Sequence, residues 1–302
     1  MDDKKTEKIV GEAIDMHFHI GPDILPRRYT VDTLVKEENG KISGVVLKSH
    51  SFPTIALINA LQRKDGMKLI GSITLNYFMG GFNNSAIYAS AVMSRDKPIV
   101  VWMPTIHAEN HLLQNKSEYE IPPEWVRDPN FKPRMKYDLK AIKVTDWSGK
   151  LIRKAKDCLD TMAEMNCILA TGHVSWREAE KLTLEALDRG IKTIVTHPMQ
   201  RDIAMPLDTQ KKLADKGAYI EYCYIMYLDR DNPGDYPLKD QMAAIEDIGA
   251  EQVILTSDAG QTRNPGPTES LKQYIKLLAG EGLAEKTITH ALVKNPRKIL
   301  EL

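Results

Sequence analysis

The sequence predicts an α/β protein folded as a closed (β/α)8 TIM barrel, on three observations. Eight short apolar runs recur along the 302 residues, with the length and Val/Ile content of buried strands. Segments of helical spacing separate them, as a parallel barrel of this size requires. An open doubly wound sheet would normally carry a glycine-rich phosphate turn after its first strand, and "HFHIGPD" is nothing of the kind.

The first run, "AIDMHFHI", ends on two histidines spaced one residue apart. The second is "ISGVVLKSH", the third "KLIGSITLN" and the fourth "PIVVWMPTIH". The fifth, "CILATGHVS", leads into a Glu-, Ala- and Leu-rich helix over 176–189 that Gly190 closes. The sixth, "TIVTHPM", precedes a helix over 207–216 closed by Gly217. The seventh is "AYIEYCYI" and the eighth "QVILTSDAG". The whole chain, 1–302, reads as a single barrel domain with one long insertion after strand four, about 108–150. That insertion carries Trp125, Phe131, Tyr137 and Trp147, which favour order, and a small hairpin turning at Ser148 and Gly149. It is expected to form a lid over the barrel mouth.

Composition narrows the function. The chain is 42% hydrophobic and 27% charged, ordinary for a globular protein. Lys plus Arg and Asp plus Glu balance at 41 each with no basic stripe, which argues against nucleic acid as a partner. "MDDKKTEKIV" is unlike a signal peptide, and no apolar run approaches the ~20 residues of a membrane span, so no membrane partner and a cytoplasmic location are expected. Cys158, Cys167 and Cys223 form no C-x-x-C pair and read as buried, inert thiols.

In a barrel, chemistry sits where the strands end. His17 and His19 close the first run, His173 the fifth, His197 the sixth and Asp258 the eighth. Residues at i and i+2 of a strand share a face, so His17 and His19 can both point inward, with Asp15 deeper on that face as an orienting partner. A lone histidine is usually a hydrogen-bonded core residue. Five such groups at strand ends make a metal site, and their N and O donors suit Zn²⁺ first, with Mn, Fe, Ni or Co as alternatives.

From "DMHFH" through "TGHVS", "VTHPM" and "TSDAG" to "KNPRKIL", the chain resembles the amidohydrolase superfamily of metal-dependent hydrolases. The resemblance implies metal ligation by His17, His19 and Asp258, with His173 as a further ligand. His197 would be a second-metal ligand or a catalytic group on the substrate. Two-metal members generally place a carboxylated Lys or a Glu at the end of strand four, where this chain has "VVWMPTIH". One divalent ion is therefore expected rather than two.

Lys48, His50, His107, Arg201 and Arg263 are expected to contact the substrate, a small and anionic molecule. Activated water would attack an amide, lactone or other ester bond, with Asp258 as the base and His197 polarising the carbonyl. A decarboxylase on the same scaffold, a phosphoesterase and a non-catalytic ligand-binding barrel are the rival readings. A homo-oligomer is compatible with such a barrel.

Overall fold

The structure, a computed structural model, describes residues 1–61, 66–95, 98–114, 140–228 and 237–302. All eight apolar runs form strands, each parallel to its neighbour: β1 (Ile14–His19), β2 (Gly44–Lys48), β3 (Lys68–Ile70 continuing as Ser72–Thr74), β4 (Val100–Trp102), β5 (Ile168–Ala170), β6 (Thr193–Val195), β7 (Tyr219–Cys223) and β8 (Val253–Thr256). Chain order and spatial order coincide. Strand β8 returns to β1 through a parallel bridge between Phe18 and Ala259, and His19 N donates to Ala259 O over 2.8 Å. The sheet is a closed barrel.

Strand β3 is split at Gly71, where an added Cβ would lie 2.8 Å from the Ile55 Cβ. Its first half pairs with β2 and its second with β4. Thr54 bridges the resulting gap: Ser72 N donates to its hydroxyl over 2.8 Å, and that hydroxyl donates to Leu47 O over 2.8 Å. These bonds give backbone groups beside the break a partner, as burial demands.

Among the described residues, ten helices alternate with the strands: α1 (Asp3–Glu12), α2 (Val31–Glu38), α3 (Ile55–Ala60), α4 (Asn84–Ser94), α5 (Glu109–Gln114), α6 (Arg153–Glu164), α7 (Trp176–Asp188), α8 (Leu207–Asp215), α9 (Leu238–Ile248) and α10 (Pro267–Gly280). A further helical stretch covers 285–300. Helix α7 shows how the sequence builds one. Ser175 and Glu178 form a reciprocal capping box, a contribution of about 1 kcal/mol. Ala179, Leu182, Thr183 and Ala186 recur at helical spacing and are the residues it buries.

Inside the barrel, Ile14, Met16, Val46, Val100, Ile168, Ile194 and Ile254 pack into an apolar floor. The polar groups of the site rest above it. A larger apolar layer, including Leu169, Leu182 and Leu213, fills the space around the barrel.

Within the expected insertion, the hairpin is present: Thr145 bridges Leu151 in antiparallel fashion, and Asp146 N donates to Lys150 O over 2.8 Å. Trp147 does not help to order it, because its side chain stands 98% exposed at the turn. Trp125, Phe131 and Tyr137 lie outside the described residues, as does the rest of the expected lid over 115–139. No helix among the described residues is long and apolar enough to cross a membrane.

Candidate metal centre

A bulge in β1 sets the site. Asp15 pairs with Val45 and Phe18 with Leu47, so β1 holds one residue more than β2 between these pairs. Strict alternation would place His17 opposite Met16. The extra residue turns the strand, so Met16 packs into the floor while His17 meets Trp102 above it, ring centroids 4.3 Å apart. The same bulge removes Asp15 from the histidine face, a correction to the sequence expectation. Its carboxyl bonds instead to Ser257 N over 3.1 Å, to the Ser257 hydroxyl and to the His17 backbone N. Burial pushes this carboxyl up to about 7.

Three side chains converge. Asp258 Oδ1 lies 2.9 Å from His17 Nε2 and 3.1 Å from His19 Nε2. Both imidazoles and the carboxylate are buried, and the three could hold a metal ion between them. Burial alone would raise the Asp258 carboxyl, but the His17 charge and the hydrogen bonds from both histidines hold it well below the usual range. Burial drives His19 well below the ordinary imidazole value, with Arg27 adding to the effect. Burial also opposes the charge on His17, yet the carboxylates of Asp258 and Glu221 leave its value raised.

The donor set fits a divalent cation. In a tetrahedral zinc site with bonds of about 2.0–2.1 Å, ligand atoms stand roughly 3.3 Å from each other, close to the spacing here. A second observation concerns His17 Nε2, which has Asp258 Oδ1 at 2.9 Å and Lys48 Nζ at 2.8 Å. One ring nitrogen carries either a proton or a lone pair, so it cannot serve a carboxylate and an ammonium together. A cation between His17 Nε2 and Asp258 Oδ1 would settle the first contact, and it would require the Lys48 amine, whose pKa burial lowers, to be uncharged or turned away.

The carboxylate that orients His17 is Glu221. Its Oε1 lies 3.1 Å from His17 Nδ1 and accepts from Thr256 Oγ1 over 3.1 Å, with both ionisable side chains fully buried. Its Oε2 has no hydrogen-bond partner. An imidazole that donates one nitrogen to a carboxylate and presents the other to a cation is the usual metal-histidine arrangement. The sequence did hold a signal, a lone acid in the apolar seventh run. Cys223 is buried, as expected, but it also sits two residues along β7 with a donor atom near His17 and Glu221.

The remaining expected residues lie around this cluster at different depths. His197 stacks 6.0 Å from the His17 ring and lies tilted 5.0 Å from that of His173, outside the three-donor group. Burial lowers His197 to about 4, and its Nδ1 is buried without a partner. His173 instead meets His111, Nδ1 to Nδ1 at 3.2 Å. Lys48 is fully buried over the Trp102 ring, 4.2 Å from its centroid, deeper than a group at the mouth. His50 stands 4.8 Å from His19 and bonds Thr105 Oγ1. His107 packs edge-on against Phe78 at 4.8 Å, and Arg201 and Arg263 are exposed on their loops.

The backbone is strained at two of these positions. His197 has φ +26° and Asp258 φ +49°, conformations that residues with a Cβ seldom adopt. Each follows the end of its strand, and such strain concentrates at functional sites. A cavity opens beside His197, walled by Met199, Tyr222, Cys223, Met226 and Tyr227.

Residues 12–221 match the profile of DUF6282, described as a family of unknown function. No curated protein matches the chain. Among solved structures, the barrel resembles a probable dipeptidase, PvdM, from Pseudomonas aeruginosa, at TM-score 0.63 and 10% identity over 99% of this chain and 98% of that one. It resembles an amidohydrolase from the same organism at TM-score 0.54 and 10% identity, covering 98% of each chain. A putative 2-pyrone-4,6-dicarboxylic acid hydrolase from Pseudomonas putida gives TM-score 0.54 at 14% identity, over 96% of this chain and 97% of that one. At such identities the likeness is one of fold.

Proposed function

The chain belongs to the DUF6282 family, and from that starting point we propose that it is a metal-dependent hydrolase of small molecules, cleaving an amide, lactone or other ester bond. The observation that carries this reading is the convergence of His17, His19 and Asp258 at the mouth end of the barrel. The dipeptidase, amidohydrolase and pyrone-dicarboxylate hydrolase names of proteins with this fold support it.

His17, His19 and Asp258 would hold one divalent ion, Zn²⁺ by its donor preference, with His173 and His197 beside it. Such an ion supplies Lewis acidity and lowers the pKa of water to about 7. The fourth strand ends on Trp102 and offers no carboxylate or lysine there, which favours one ion over two. Asp258 directs Oδ1 at both histidines, leaving Oδ2 to take a proton from water and deliver it to the leaving group. His197 is uncharged at neutral pH, so its imidazole can donate to a carbonyl oxygen as charge develops there.

The test is elemental analysis of the purified protein, followed by assay against a panel of amides, esters and lactones. One divalent ion per chain and turnover of a panel member are expected. Asp258→Asn should stay folded and lose about 10²–10⁴-fold in kcat, the worth of a general base. If that variant keeps its metal and works as well as the wild type, Asp258 is not the base.

A further inference from the structure

The loop after β1 carries a buried arginine that the chemistry above leaves unused. Arg27 is pinned to the seam of the barrel: its backbone bridges Gln261 in antiparallel fashion, and Arg28 N donates to Gly260 O over 2.8 Å. This places it beside the turn that bears Asp258. Its side chain is only 3% exposed.

Asp23 holds the guanidinium by one edge. Nε donates to Asp23 Oδ2 over 3.1 Å and Nη2 to the same oxygen over 2.9 Å. Asp23 is itself fixed, because its oxygens also accept from Ser51 Oγ, His50 N and Ile24 N. A guanidinium has five N–H groups. Two are used here, so the Nη1/Nη2 edge makes no bond to any described residue. Nη1 is not sealed from solvent, so its donors are open to water or to a ligand.

Asp23 ties the guanidinium to the candidate metal centre. A carboxylate oxygen of Asp23 and one ring nitrogen each of His19 and His50 all lie within 4.8 Å of one another.

We propose that Arg27, presented by Asp23, is the receptor for a carboxylate group on the substrate, bound through the two N–H groups of its Nη1/Nη2 edge. That edge has the planar fork that pairs with a carboxylate in bidentate fashion. The inference rests on the hydrolase reading and names its substrate class: a small amide, ester or lactone that bears a free carboxylate near the bond to be cleaved. Asp23 acts through Arg27 and is a positioning residue.

The experiment uses the full chain in metal-free and metal-loaded form, with acetate and malonate as probes and acetamide and malonamide as uncharged controls. Binding is read by calorimetry and by the rise in Tm. The carboxylates should bind the wild type and the amides should not. Arg27→Gln should weaken carboxylate binding about 10- to 100-fold, the value of hydrogen bonds to a charged group. Its metal content should be unchanged. Arg27→Lys keeps the charge without the fork and should recover only part of the loss. Should Arg27→Gln not fold, Arg27→Lys alone decides: wild-type affinity in it overturns the proposal. So does Arg27→Gln binding malonate as tightly as the wild type, or a wild type that binds no carboxylate at millimolar concentration. A protein that takes up no metal but still binds malonate through Arg27 would sink the hydrolase reading and leave this one standing.

Discussion

Replacing Glu221 by Gln isolates how β7 tunes the metal centre. The carboxylate accepts from His17 Nδ1 and from Thr256 Oγ1 through one oxygen, each at 3.1 Å. Glutamine can keep that oxygen in place, so shape and both contacts persist while the negative charge goes. The bond to His17 then changes from charge-assisted to neutral, with about half the strength. The imidazole becomes a poorer donor to a cation at Nε2. Partners of this kind are worth about 10–100-fold in metal affinity, which is roughly 1.4–2.7 kcal/mol. Competition against a chromophoric chelator at neutral pH measures the loss, and circular dichroism confirms that the fold survives. A metal Kd equal to that of the wild type would refute the orienting role. A loss far beyond a hundredfold would refute it too, because Glu221 would then be a ligand.

Two further substitutions probe the seam between the first and last strands. An alanine Cβ at Gly260 would stand 2.1 Å from His19 O, at a backbone φ of +118°. Gly260→Ala should lower stability by about 2–4 kcal/mol and weaken metal binding with it, by calorimetry and chelator competition. Gly11→Ala, in α1 where a Cβ meets nothing within 4 Å, should be stabilising by about 0.5–1 kcal/mol and serves as the control. The same calorimetry refutes the close-approach reasoning if both alanines behave alike. The Asp15 carboxyl, pushed up to about 7 by burial, keeps its proton in the folded chain over a range where the unfolded chain has lost it. The folded state therefore binds more protons between about pH 4 and pH 7, and stability from this group falls as pH rises through that window. Against Asp15→Asn, which cannot ionise, the metal-free wild type should lose on the order of 4 kcal/mol from pH 4 to pH 8 in urea unfolding. A difference independent of pH would mean that Asp15 is ionised throughout.

Much of the architecture was legible because a parallel barrel writes itself as a repeating pattern. Each of its eight strands is buried on both faces and stands out as an apolar run, even β3, whose Gly71 break lies inside "KLIGSITLN". The convergence of His17, His19 and Asp258 was legible for the same reason, since a barrel gathers its strand ends at one mouth. The bulge in β1 left no such mark. One extra residue has no compositional signature, yet it removes Asp15 from the histidine face and leaves Glu221 to orient His17. Arg27 was hidden for another reason. Loop side chains follow no period, and only the Asp23 contact reveals that this arginine turns inward while Arg201 and Arg263 face solvent.

The candidate metal centre and the closure of the barrel are one structural element. His17 and His19 belong to the first strand and Asp258 to the turn leaving the last. The backbone hydrogen bonds that join these strands run through the same residues: Asp258 N donates to His17 O over 2.9 Å and His19 N to Ala259 O over 2.8 Å. Asp15 and Ser257 add a buried side-chain link one step below. The left-handed backbone at Asp258 is what lets its carboxylate turn back over the seam while its amide stays in the ladder. A cation held by all three side chains would therefore bind the first and last strands of the chain to each other. Its binding energy would count directly toward keeping the barrel shut, as ligand binding to a folded state alone must.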